Sequence, residues 1–150
     1  MQLILATENI TEIEEEFEAL VDLLWIEENP GRVVHAIDWP VYRALVNLGM
    51  CKTFTARNGR DVLVGLAAYV VIMHPHHLGH KVAECDMIKV NAEFRGLGIG
   101  RQLISYAEPL LIADGVQEIV HRHKLTSNTK PLFPSLGYEA VETVYRKKVA

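Results

Sequence analysis

Residues 62–73, VLVGLAAYVVIM, are apolar almost throughout, with small residues at Gly65, Ala67 and Ala68. The run is too short to cross a bilayer. It predicts a strand apolar enough to be buried on both faces. On its N-terminal side, Lys52-Thr53-Phe54-Thr55-Ala56-Arg57 alternates, and Asn58-Gly59 supplies a tight turn because both residues tolerate positive φ. Residues 74–80 form a second connection and 82–90 a third strand. Three strands joined by hairpins make an antiparallel meander.

The remaining elements attach to this centre. Leu3, Ile4 and Leu5 read as an opening strand. Thr11 and Glu14 form a Thr-x-x-Glu capping box ahead of a helix that buries Ile13, Phe17, Leu20, Val21 and Leu24 and ends at Pro30-Gly31. Asp38 caps a second helix, with Val41, Leu45 and Leu48 along one side and Gly49 at its end. A third begins near Gly98, carries Ile99, Leu103, Ala107, Leu110 and Leu111 inward, and is kinked or shortened at Pro109. A strand over 119–125, a short helix over 130–136 and a closing strand over 138–147 complete the order. This is an α+β arrangement, a central, mostly antiparallel mixed sheet flanked by helices, in a single domain spanning residues 1–150.

Composition narrows the function. The formal net charge is −4, so diffuse attraction to nucleic acid is not expected, and no segment predicts a membrane span. Cys51 and Cys85 lack metal-ligand spacing, which suits a reducing compartment; the expected location is the cytoplasm, without an export signal.

The chemistry concentrates in Val90-Asn91-Ala92-Glu93-Phe94-Arg95-Gly96-Leu97-Gly98-Ile99-Gly100-Arg101. A strand runs through a glycine-rich turn into a helix, whose first amides have no partners of their own. Together with the helix dipole they form a site for a pyrophosphate, with Arg95 and Arg101 adding charge. It is not a P-loop, because Arg101-Gln102 stands where Lys and Ser or Thr are needed. It also departs from the dinucleotide fingerprint, since Leu103 replaces the third small residue and the preceding strands arrive by hairpins.

Arg95-Gly96-Leu97-Gly98-Ile99-Gly100 resembles the Arg/Gln-x-x-Gly-x-Gly/Ala signature of the GCN5-related N-acetyltransferase (GNAT) family. The later run from Asn128 to Leu136-Gly137-Tyr138 is similar to that family's asparagine-containing segment and its leucine-glycine-aromatic turn. The resemblance implies the GNAT fold and transfer of an acetyl group from acetyl-coenzyme A (acetyl-CoA) to an amine in a ternary complex. It implies further that amides of Arg95, Gly96, Leu97, Gly98, Ile99, Gly100 and Arg101 hold the pyrophosphate. Backbone groups of Ile88 and Val90 would pair with the pantetheine arm, and Asn128 would reach the cofactor from the other side. A homodimer is common in such proteins.

An amine nucleophile must lose a proton before it attacks. Glu84 and Asp86 alternate on one face of the strand leading to Val90. Glu84 stands where some family members keep a general base. Each carboxylate has the ordinary reading of a solvated strand residue beside the catalytic one. For the leaving thiolate no acid is evident: Phe133 occupies the position of a tyrosine found in many relatives. His74, His76, His77 and His80 lack a recognised ligand spacing, so no metal is expected and they read as a solvated loop or a substrate contact; His121 and His123 share one strand face and read as core or surface residues, as substrate contacts or as proton acceptors. The acceptor, a small-molecule amine or a protein amine, is open. A module that binds acetyl-CoA without efficient transfer is the rival function, and a purely structural domain a third.

Overall fold

The computed structural model describes residues 1–28, 36–125, 129 and 131–149. Its sheet has five strands in the order β1-β2-β3-β4-β5: Leu3–Thr7, Cys51–Asn58, Leu63–Met73, Lys81–Val90 and Glu118–Val120. The first three pairings are antiparallel and β4–β5 is parallel. β3 is the buried centre, as its composition requires: residues 63–69 are all inaccessible.

Among the described residues four helices accompany the sheet: α1 (Glu14–Glu28), α2 (Trp39–Asn47), α3 (Ile99–Ala113) and the single turn α4 (Leu132–Ser135). On one face α3 places Ile99, Leu103, Ala107 and Leu111 against Phe54, Val64, Ala67, Tyr69 and Ala83. On the other, α1 and α2 place Phe17, Leu20, Val21, Leu24 and Trp39 against Leu63, Leu66 and Ala68.

Several expectations are corrected. Asn9, not Thr11, caps the first turn: its side chain accepts from the Thr11 amide at 3.0 Å, and a short 3-10 turn (Ile10–Glu12) precedes α1. α2 turns Trp39, Tyr42 and Val46 inward, while Val41 and Leu48 are exposed, because Phe17 forms edge contacts with Trp39 and Tyr42. α3 is not shortened at Pro109 but continues to Ala113, and Leu110 is on its exposed side. β5 stops at Val120, and the described residues 138–149 form no strand; Val141, Val144 and Tyr145 are exposed. The end of α1 at Pro30-Gly31 and the start of the short helix at Lys130 lie outside the described residues.

Candidate active site

Where β4 leaves β5, the sheet opens. The parallel pairing covers only Val82, Ala83 and Glu84 against Glu118, Ile119 and Val120. Residues 85–90 of β4 therefore have no strand on that side among the described residues, although β3 continues to pair with them on the other.

The register shows which backbone groups face the opening. Val90 is opposite Gly65 and Ile88 opposite Ala67, and one residue on, the Asn91 amide donates to the Val64 carbonyl at 2.9 Å. In an antiparallel ladder, hydrogen-bonded and non-hydrogen-bonded pairs alternate. Asn91 belongs to the bonded set, so Val90 and Ile88 belong to the other and direct their N–H and C=O groups away from β3. Both face the gap. The Arg95 guanidinium already donates to the Val90 carbonyl there, at 3.3 Å.

At the end of β4, a turn of 3-10 helix (Ala92–Phe94) leads into the glycine loop. Gly96 and Gly98 have φ of +79° and +74°, a left-handed conformation that side chains resist, and a Cβ at either would meet open space. No side chain caps α3, so the amides of its first turn remain available. Arg101 reaches Ser135 on α4 at 2.6 Å, tying the loop to the far side of the opening. Bare amides at a helix start, beside open space and two arginines, fit a pyrophosphate. Asn128 lies outside the described residues.

The two carboxylates of β4 lie on the face towards α2. Ala83 and Cys85 pack under α3, so Glu84 alternates to the opposite side. It meets the Arg122 guanidinium at 2.8 Å, a contact that raises the arginine's pKa further. The register then slips: Ala68 is opposite Met87 but Tyr69 is opposite Cys85, which leaves Asp86 as a bulge with no counterpart. The Tyr42 hydroxyl donates to Asp86 Oδ2 at 2.7 Å. Burial, then this carboxylate, push the Tyr42 hydroxyl strongly up, so it keeps its proton.

Sequence reasoning passed over Tyr42 and Arg122. Tyr42 was hidden by the apolar stripe at Val41, Leu45 and Leu48, although the neighbouring Trp39 signalled a second, aromatic stripe. Nothing in the sequence marks Arg122 as a partner of Glu84.

Phe133 is buried and stacks on His121, with ring centres 5.0 Å apart. Desolvation lowers the His121 pKa to about 4, and its buried Nδ1 has no hydrogen-bond partner among the described residues. Tyr138 donates instead to Glu108, at 2.7 Å. His74, His77 and His80 of the β3–β4 connection line an open hollow of about 430 Å³ together with Glu118, and His80 contacts Glu118 at 3.1 Å. Among the described residues no cluster is arranged to hold a metal ion, and no helix is long and apolar enough to cross a membrane.

Comparison with known proteins bears on this arrangement. A model of the acetyltransferase (GNAT) family matches residues 10–138. The chain belongs to that family. An uncharacterised N-acetyltransferase of Chlorobaculum tepidum is 40% identical over 65 residues, a match that spans 43% of this GNAT chain and 39% of that protein. Among solved structures, the glucosamine-6-phosphate N-acetyltransferase of Arabidopsis thaliana superposes with a TM-score of 0.78 at 10% identity, covering 100% of each chain. AAC(6')-Iy, solved with the bisubstrate analogue CoA-S-monomethyl-acetylneamine, gives 0.75 at 22% identity, covering 99% of each. The ribosomal-protein-alanine N-acetyltransferase of Brucella melitensis gives 0.74 at 17% identity, covering 99% of this chain and 100% of that one. At these identities the structural likeness establishes the shared GNAT fold.

Proposed function

We propose that this GNAT-family protein transfers an acetyl group from acetyl-CoA to a primary amine, with both substrates bound at once. The observation that carries the proposal is the opening beside β4: two outward-facing residues, Ile88 and Val90, lead straight to a glycine loop and an uncapped helix. Loop amides from Arg95 to Arg101 hold the pyrophosphate, while Ile88 and Val90 pair with the pantetheine as an added strand would. An amide near Val90 polarises the thioester carbonyl.

The carboxylates of Glu84 and Asp86 are available to accept the proton that the amine must lose. Positioning and backbone polarity supply most of the acceleration. Amine acceptors named for the structural neighbours, an amino sugar phosphate and a protein alanine, support the acceptor class without choosing its member.

Calorimetry with acetyl-CoA, followed by coenzyme A release over a panel of amines, tests the reading. Binding without release from any amine would favour a second reading, a cofactor-binding module, for which the buried and protonless Phe133 speaks. No binding at all would end both.

A further inference from the structure

The proposed reaction leaves two carboxylates on one strand, and their surroundings separate them. Glu84 is the last residue of β4 still paired with β5, and its side chain spans the mouth of the opening to Arg122. Taking a proton there would leave a guanidinium without its partner. Asp86 lies two residues further on, inside the stretch that β5 no longer covers. Its bulged position lifts it out of the ladder, and it is exposed. One oxygen receives the Tyr42 hydroxyl, and the other makes no hydrogen bond among the described residues.

Tyr42 is fixed in turn. Its ring contacts Phe17 and Trp39, with centres 5.8 and 5.7 Å away, and the Trp39 indole donates to Glu18 on α1. A hydroxyl whose pKa burial and the Asp86 carboxylate push up, carried on a packed aromatic cluster, holds that carboxylate in one orientation.

We propose that Asp86 receives the acceptor's ammonium and its proton, that Tyr42 positions Asp86, and that Glu84 fastens β4 to the chain after β5 through Arg122. The inference rests on the acetyl-transfer reading and selects within it. The free oxygen of Asp86 accepts one proton from R–NH3+, and the resulting amine attacks the thioester carbon. The carbon–sulfur bond breaks, the electron pair leaves with sulfur, and the second nitrogen proton passes to the thiolate. The products are the N-acetyl amine, coenzyme A thiol and a proton that Asp86 returns to solvent. The acceptor class is a primary amine that reaches the site as a cation.

The test uses the full chain with butylamine, spermidine, glycinamide and glucosamine as acceptors, and compares Asp86→Asn, Asp86→Glu, Tyr42→Phe and Glu84→Gln. Asp86→Asn is expected to lower kcat/KM about 100-fold for the best acceptor, the lower end of what a general base contributes. Tyr42→Phe keeps the ring packing and is expected to lower kcat about tenfold with the acceptor KM within about twofold, and Asp86→Glu to recover part of the Asp86→Asn loss. Glu84→Gln is expected to lower kcat/KM less than about fivefold while lowering Tm. Calorimetric affinity for acetyl-CoA stays within about twofold of wild type in all four. A larger loss in Glu84→Gln than in Asp86→Asn, or a Tyr42→Phe effect seen only in Tm, overturns the assignment while leaving acetyl transfer intact. Failure of the wild-type chain to bind acetyl-CoA, or to acetylate any of the four amines, brings down the assignment and the reading beneath it.

Discussion

Gly98 combines a left-handed backbone with the first uncapped position of α3, so a side chain there changes conformation and electrostatics together. Gly98→Asp places a carboxylate at the proposed pyrophosphate site. The expected result is loss of acetyl-CoA binding by calorimetry, at least about 100-fold, with a stability cost of about 1–2 kcal/mol for the left-handed residue. Arg57 shows how a residue fixes the scaffold. It reaches Glu8 at 3.0 Å and Glu16 at 2.7 Å, joining β2 to the residue after β1 and to α1. Arg57→Leu strands two carboxylates and is expected to cost about 2 kcal/mol in urea unfolding, less than a fully buried pair would. At this scale the glycines of the loop were legible, since only glycine suits such turns. The bulge at Asp86 was not, because a slip of register depends on two strands and leaves no mark on one.

β4 divides its backbone between two neighbours. Its odd-numbered residues near the end bond to β3, and its even-numbered ones face the gap. Proline substitution separates these roles, because it removes one N–H. Lys89→Pro breaks the ladder and is expected to lower Tm more than Val90→Pro. Val90→Pro is expected to lose more acetyl-CoA affinity, by about tenfold or more. Comparing the two by thermal unfolding and calorimetry decides the matter. The meander and its Asn58-Gly59 turn were readable, since local chemistry dictates both. α2 was recognised as an element, but which of its two apolar stripes packs inward was not, because only the aromatic partner Phe17, distant in sequence, selects between them. Residues 138–147 were likewise read as a closing strand, yet strand formation requires an edge to pair with, and β5 ends at Val120.

Across the whole molecule, acid weakens the fold through two groups acting in the same direction. His121 is desolvated and binds a proton only near pH 4, against about 6.5 unfolded, so the unfolded chain takes up the proton first. Its contribution is complete above pH 6.5 and is lost as the pH falls towards 4. Burial alone would raise the Glu8 pKa, but hydrogen bonds from Arg57 and Thr55 outweigh it and leave the net shift downward. That contribution is present above about pH 4.5 and disappears at lower pH. The urea midpoint is therefore expected to fall between pH 7 and pH 5, and His121→Leu to flatten the decline. The family was legible because one loop and one element order suffice to specify it. The separate roles proposed for Glu84 and Asp86 were not, because they rest on partners far away in sequence, Arg122 and Tyr42.

A strand shared between a protein neighbour and a gap leaves a signature in time. In deuterated water the amides of Ile88 and Val90 should exchange rapidly, while those of Met87 and Lys89, bonded to β3, exchange slowly. The alternation has a period of two along a single strand. Saturating acetyl-CoA should slow the fast pair to match its neighbours, so that the bound chain shows one uniformly protected strand where the free chain shows a comb.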